Sequence, residues 1–174
     1  MIKIIKLDHR PLRDKRITTH CALVSRTFGA DEFLYAGVCD KELEKNIINT
    51  NERWGDLGFK IKFIKEPLEF VKKYKGNGTI IHLTMYGGKI LEYIENIKKN
   101  KKEMLIIIGG PKVPGEYYKL ADFNISVTNQ PHSEVAALAI ILNYINPEYL
   151  EKDLFKSNIK IIPNKDHKNV INLK

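Results

Sequence analysis

A polar run near the end of the chain separates two apolar segments and carries groups able to hold a ligand. Asn124–Val127 alternates as a short strand does, and Val135–Ile145 is apolar on nearly every side, as expected of a packed helix. Between them, Thr128–Glu134 offers backbone N–H groups, a hydroxyl and an imidazole. In open α/β sheets, ligands bind at the carboxyl ends of strands, where this run lies. The alternative is an ordinary helix cap by Ser133 or Asn129.

Two other predicted strands also end in small or polar residues. LTMYGG follows the strand Thr79–His82, and GGPKVPGE follows the strand Met104–Ile108. Glycine in such loops lets a ligand approach the backbone closely. Three consecutive loops of this kind predict one pocket at the carboxyl edge of a sheet.

The loops match none of the common phosphate, metal or hydrolase motifs. GGPKVPG lacks the G-x-G-x-x-G spacing and follows the fifth predicted strand, whereas a dinucleotide fingerprint follows the first. G-x-x-x-x-G-K-[ST] and H-E-x-x-H are absent, and the histidines are scattered, so no metal site is expected. A hydrolase using Ser133 and His132 is unfavourable because G-x-S-x-G is missing and adjacent side chains rarely point together.

A cluster of cations follows the first predicted strand. Arg10, Arg13, Lys15 and Arg16 occur within seven residues and are placed above the same edge as the three loops. Such a run is often a solvated surface, and phosphate contact is the alternative interpretation here. The helix that follows is predicted over residues 17–28, with a cap at Thr18 or Thr19 and an end at Gly29. Arg16, His20 and Leu23 share one face of it.

The remaining pattern places these residues on an α/β framework. Further strands are predicted at Ile2–Leu7, Phe33–Ala36 and Lys60–Ile64, and further helices at Lys41–Arg53, Pro67–Tyr74, Gly88–Lys98 and Gly115–Leu120. Regular alternation of strand and helix predicts a mainly parallel sheet with helices on both faces.

Residues 1–150 form the main domain in this interpretation. Residues 151–174 form a basic extension with six lysines against three acids, predicted to be a β-hairpin. A lysine-rich sheet edge and a binding arm both explain its charge.

Composition narrows the class of protein. The 174-residue chain is 43% hydrophobic, long enough for one core, and its net charge of +8 favours an anionic partner, above all nucleic acid. No apolar run approaches the roughly 20 residues that a membrane span needs. A segment of charged residues directly follows the first predicted strand, so no signal peptide is expected. Cys21 and Cys39 lack metal spacing, which predicts reduced thiols in a cytoplasmic protein.

Four blocks of the sequence resemble one known family. HRPLRDKRITTHCALVSRTFGAD, ERWG, HLTMYGG and KVPGEYYKLADFNISVTNQPHSEVAALA occur in the order and spacing of the archaeal tRNA (cytidine(56)-2'-O)-methyltransferases, which belong to the SPOUT superfamily. The resemblance covers Ile2 to about Ile145, and the hairpin also fits. It implies a SPOUT-type fold with a deep C-terminal trefoil knot, a homodimer, tRNA as substrate and S-adenosylmethionine as methyl donor.

The resemblance also implies roles for individual residues. The methyl donor is expected against Leu83, Gly109, Gly110, Pro111, Lys112, Val113, Val127, Thr128, Asn129, Gln130, Pro131, His132, Ser133 and Glu134. Arg16 is expected to help the ribose 2'-hydroxyl lose its proton, with His20 as the second candidate. Arg10, Arg13 and Lys15 then contact tRNA phosphates. A glutamate near Pro111 and an asparagine near Val135, common in the wider superfamily, are absent.

Two alternatives to this activity remain open at the level of sequence. A SPOUT enzyme that modifies a different nucleotide would have the same pocket and a different basic segment and tail. A catalytically silent RNA-binding module would keep the basic surface and lose affinity for the methyl donor. Binding of S-adenosylmethionine separates the enzymes from the module.

Overall fold

Six strands form one parallel sheet. The structure is a computed structural model that describes residues 1–100, 102–110 and 112–173, with the backbone alone at Asp14 and Lys15. The strands lie in the order β3-β2-β1-β5-β4-β6 and pair in parallel throughout. Their bounds are β1 (Ile2–His9), β2 (Glu32–Gly37), β3 (Lys60–Phe63), β4 (Thr79–Lys89), β5 (Met104–Ile108) and β6 (Phe123–Ser126).

Helices cover both faces of this sheet, as the alternating pattern predicts. They are α1 (Pro11–Thr27), α2 (Lys41–Trp54), α3 (Pro67–Tyr74), α4 (Ile90–Lys99), α5 (Gly115–Leu120), α6 (Glu134–Ile145) and α7 (Glu148–Glu151). Helices α1, α2, α4 and α6 share one hydrophobic core, and α3 and α5 share the other. Side chains of β5 alternate between them: Ile106 and Ile108 enter the first core, and Leu105 and Ile107 enter the second. A strand that is buried on both faces explains the unbroken apolar run of β5.

Helix α1 begins earlier than the sequence predicts. Pro11 occupies its first turn, and Arg10 is the residue before it, in an extended conformation. The prediction of a cap at Thr18 or Thr19 is therefore wrong, because both lie inside the helix. A charged segment without apolar periodicity resembles a loop, whereas proline at the first helical position favours a start there. The predicted end is confirmed by Gly29, whose φ is +81°.

Strand β4 is longer than predicted and pairs twice with one residue of β6. Ile125 of β6 pairs with Leu83 and again with Gly88, so residues 84–87 leave the ladder and β4 rejoins it at Gly88. The expected helix start at Gly88 is consequently wrong, and α4 begins at Ile90. Gly87 lies against β6 so closely that a Cβ there would come within 2.5 Å of the backbone of Asn124 and Ile125.

The C-terminal segment forms the predicted hairpin. Strands β7 (Ile159–Ile161) and β8 (Val170–Asn172) pair antiparallel, separate from the main sheet. Helix α7, which the sequence did not suggest, precedes it. The Arg26 guanidinium of α1 lies 4.8 Å from the Phe155 ring centroid and ties the segment to the main domain. The boundary at residue 150 stays a prediction. No helix among the described residues is long and apolar enough to cross a membrane.

Candidate active site

The three loops singled out in the sequence meet around one cavity. Its volume is about 490 Å³, and it lies at the carboxyl ends of β4, β5 and β6. This is the size and position expected of a small-molecule site in a parallel sheet. Ten of the residues expected to contact the methyl donor line it: Leu83, Gly109, Gly110, Val113, Val127, Gln130, Pro131, His132, Ser133 and Glu134.

The other expected donor contacts lie elsewhere. Lys112 and Thr128 are exposed and do not line the cavity, and Pro111 lies outside the described residues. Asn129 is also exposed and does not line the cavity. Its side-chain amide donates to the carbonyl oxygens of Met85 (2.8 Å) and Gly87 (3.0 Å). It therefore fastens the loop after β6 to residues 85–87 of β4.

Seven residues of the cavity wall were missed by the reading of the sequence. They are His82, Thr84, Met85, Tyr86, Tyr118, Ile125 and Ala137. Thr84–Tyr86 belong to the LTMYGG loop, so the pocket prediction contained the signal for them. His82 and Ile125 lie inside strands, and Tyr118 and Ala137 lie inside helices. Periodicity assigns such positions to the core and carries no sign that they border a cavity.

His82 is held in one orientation by a chain of hydrogen bonds. Asn124 Nδ2 donates to the Tyr118 carbonyl (2.9 Å), so its Oδ1 faces His82 Nδ1 at 2.9 Å. The proton is thereby assigned to Nδ1, and Nε2 becomes an acceptor. Nε2 is buried and has no hydrogen-bond partner among the described residues. Burial lowers the pKa of His82 below its usual value, against the opposing hydrogen bond with Asn124. The ring is therefore neutral near pH 7.

Gly109 and Ser133 each have a local structural role in the cavity wall. A Cβ on Gly109 would come within 2.5 Å of Val113 Cγ2, so any larger residue there would force the Val113 side chain to shift. At the start of α6, the Ser133 hydroxyl accepts a hydrogen bond from Val135 N–H at 3.2 Å. Ser133 is thus the helix cap that the sequence offered as an alternative, and it lines the cavity as well.

The predicted catalytic and RNA-binding residues lie between Arg10, the residue before α1, and His20, and this segment is called the basic turns below. Arg13, Arg16 and His20 are exposed, and Arg10 lies 3.7 Å from the Asp8 carboxylate through an ion pair. None of these four lines the cavity. The side chain of Lys15 lies outside the described residues. Because α1 begins where β1 ends, the basic turns and the cavity occupy the same edge of the sheet.

A buried network anchors the start of α1. The ring of His9 lies 2.8 Å through Nδ1 from the Thr18 hydroxyl and 3.3 Å through Nε2 from the Asp40 carboxylate. Burial opposes ionisation of Asp40, but hydrogen bonds from Leu43 N–H and from the His9 ring outweigh it and lower its pKa. His9 therefore links β1, α1 and α2 directly beneath the basic turns, and sequence reasoning had assigned it no role.

One ion pair connects the cavity to the first strand. Lys6 of β1 is buried, and its Nζ lies 2.9 Å from Glu134 Oε2 at the start of α6. The cavity is therefore joined to the same end of β1 from which the basic turns emerge.

The chain matches the family described as tRNA ribose 2'-O-methyltransferase, aTrm56, over residues 54–171. It is 43% identical to the tRNA (cytidine(56)-2'-O)-methyltransferase of Thermococcus kodakarensis, over 99% of this chain and 98% of that protein. A second such methyltransferase, from Methanosphaera stadtmanae, is 44% identical over 98% of each chain. The chain belongs to the tRNA (cytidine(56)-2'-O)-methyltransferase family. The resemblance in the four sequence blocks is thereby confirmed, and so is the class of enzyme.

Solved structures confirm the fold class. The A. aeolicus TrmH/SpoU tRNA modifying enzyme superposes with a TM-score of 0.60 at 16% identity, over 86% of this chain and 76% of that chain. The SpoU methyltransferase AviRb of Streptomyces viridochromogenes, solved in complex with the cofactor AdoMet, gives a TM-score of 0.56 at 14% identity, over 86% of this chain and 58% of that one. At such identities the likeness concerns the fold alone.

Proposed function

We propose that this chain transfers a methyl group from S-adenosylmethionine to the ribose 2'-hydroxyl of cytidine 56 in the T loop of tRNA. The observation that carries the proposal is the closure of three loops around one cavity, in a chain that matches its family over nearly its whole length. The net charge of +8 suits a polyanionic substrate.

The cavity fits S-adenosylmethionine in size and chemistry. A volume of about 490 Å³ lies within the range of drug-sized ligand pockets. The glycines of the loop after β5 leave backbone exposed, and Leu83, Val113 and Val127 supply apolar contact. Glu134 provides the one acidic group of the described wall. We place the adenosine portion of the donor against these loops, while Asn129 keeps two of them together.

The reaction requires orientation and help with one proton. When bound, the donor supplies an electrophilic methyl group on a sulfonium. The chain must align the ribose hydroxyl in line with that methyl and favour loss of the hydroxyl proton. An arginine guanidinium stays charged in proteins, so Arg16 is proposed to stabilise the developing alkoxide while the proton passes to water. His20, one turn further along α1, is the second candidate and would accept the proton itself.

The basic turns of α1 serve the substrate in this proposal. Arg10, Arg13 and Lys15 contact tRNA phosphates, which positions the T loop over the cavity without reading bases. The lysines of the C-terminal extension add positive charge. Phosphate contacts of this kind make binding weaker as salt rises.

Three further features complete the proposal. The double pairing of β4 with Ile125, fastened by Asn129, supports a deep trefoil knot in this part of the chain. The exposed apolar residues Ile140 and Tyr144 of α6 support a homodimer, since a partner would cover them. A tRNA-modifying role supports a cytoplasmic location.

A single methylation assay tests the proposed function. Purified protein is incubated with S-adenosylmethionine and unmodified transcript tRNA, and the modified nucleotide is mapped by mass spectrometry of nuclease fragments. We expect a 2'-O-methyl group on cytidine 56 alone. A transcript with a 2'-deoxycytidine at this position is the control and should remain unmodified. Methylation of a different nucleotide would indicate a SPOUT enzyme of other specificity, and methylation of a base would contradict the proposal.

A further inference from the structure

One acidic side chain borders the cavity, and it is paired with a buried lysine. Glu134 is the only acidic residue of the described cavity wall, and no lysine or arginine lines that wall. Its side chain is 23% exposed, so the carboxylate is neither sealed in the core nor fully solvated. A charge in such a site is screened less than one on an open surface.

Lys6 fixes this carboxylate from beneath. The side chain of Lys6 is 3% exposed, and its Nζ lies 2.9 Å from Glu134 Oε2 and donates to the Leu7 carbonyl at 3.1 Å. A buried ammonium without a charged partner is strongly unfavourable, so the pair with Lys6 holds Glu134 in place. Burial, and secondarily the charge of Glu134, raise the pKa of the Cys21 thiol to about 12, so that thiol stays protonated.

The second carboxylate oxygen is directed toward the cavity. Oε1 lies 4.0 Å from the position of a Cβ built on Gly110, which belongs to the cavity wall. One oxygen is thus paired with Lys6, while the other faces the cavity.

We propose that Glu134 gives the cavity its preference for the cationic methyl donor over the product left after transfer, with Lys6 as its positioning residue. The inference rests on the proposed function. S-adenosylmethionine and S-adenosylhomocysteine share an ammonium and a carboxylate and differ by the sulfonium charge. A fixed carboxylate within a few ångströms attracts that charge. The attraction disappears when the methyl leaves, which favours release of the product.

Substitution Glu134→Gln tests this because it keeps the shape of the side chain and removes its charge. Calorimetry would compare three ligands: S-adenosylmethionine, S-adenosylhomocysteine, and an analogue with a protonated amine in place of the sulfonium. We expect affinity for both cationic ligands to fall about tenfold or more, and affinity for S-adenosylhomocysteine to change less than about twofold. Retained binding of S-adenosylhomocysteine also shows that the cavity is folded.

A second variant also removes the Lys6 ammonium, which Glu134→Gln leaves without a charged partner. The double variant Lys6→Met/Glu134→Gln should show the same loss of preference for cationic ligands, with S-adenosylhomocysteine still bound. Equal weakening of all three ligands in both variants would overturn the inference. So would unchanged donor affinity with slower transfer, because Glu134 would then act on the ribose hydroxyl. Wild-type protein that binds neither S-adenosylmethionine nor S-adenosylhomocysteine would instead contradict the proposed function.

Discussion

Arg16 is the residue on which the proposed chemistry depends most directly. Its guanidinium is exposed on the second turn of α1 and lies outside the cavity wall. The bound ribose must therefore lie between Arg16 and the cavity. Arg16→Ala should slow methyl transfer about 100-fold or more at saturating tRNA, because the developing alkoxide loses its stabilising charge. Single-turnover kinetics measure this rate, and calorimetry should show nearly unchanged affinity for S-adenosylmethionine.

Arg13→Ala is the matched control for that variant. Arg13 is equally exposed on the same helix, one turn nearer its start. Its loss should weaken tRNA binding and flatten the dependence of binding on salt, while transfer at saturating tRNA stays close to wild type. If the two variants behave alike, Arg16 is a phosphate contact, and the catalytic role passes to His20.

At the scale of secondary-structure elements, the pairing of β4 with β6 brings two of the cavity loops together. Gly87→Ala would bring a Cβ within 2.5 Å of the backbone of Asn124 and Ile125. Backbone atoms cannot rotate away as a side chain could, so the two strands would have to shift. We expect the free energy of unfolding to fall by about 2 kcal/mol or more. Urea denaturation measures this, and donor affinity should fall as well, since Gly87 O accepts the hydrogen bond from Asn129.

Gly115→Ala provides the control for that substitution. A Cβ on Gly115, at the start of α5, has no neighbouring atom within 4 Å. Alanine is the better helix former, so this variant should match the wild type or gain roughly 0.5–1 kcal/mol. Equal stability of both variants would show that the two strands can separate at Gly87 without cost.

These elements also show how far the sequence predicts the structure. Strand and helix alternation placed all six sheet strands and the loops at their carboxyl ends, because burial on both faces produces unbroken apolar runs such as β5. The double pairing of β4 with Ile125 is a long-range contact that leaves no periodic signal. The start of α1 was misplaced because charge obscured the helical pattern. Lys6, His9 and His82 were missed because a strand position does not reveal a buried polar partner.

At the scale of the whole molecule, the proposed homodimer would determine which residues meet at the site. Ile140 and Tyr144 of α6 are 39% and 38% exposed, and α1, which packs against α6, exposes Leu12 and Ile17. Apolar side chains on two adjacent helices favour contact with a second chain. Light scattering should therefore report about twice the 20.1 kDa chain mass. A fully active monomer at micromolar concentration would contradict the proposed homodimer.

Hybrid dimers test whether the arginine of one chain serves the cavity of the other. Arg16→Ala lacks the proposed catalytic charge, and Gly110→Trp fills the cavity, so each chain should be inactive alone. Co-expressed with different affinity tags, the two chains form a hybrid that has one cavity and one Arg16 intact. If Arg16 acts across the interface, the isolated hybrid should regain about half of the wild-type activity, because one of its two sites is complete. Homodimers of each variant, purified in parallel, should remain inactive. An inactive hybrid in a confirmed dimer would show that each site takes Arg16 from its own chain.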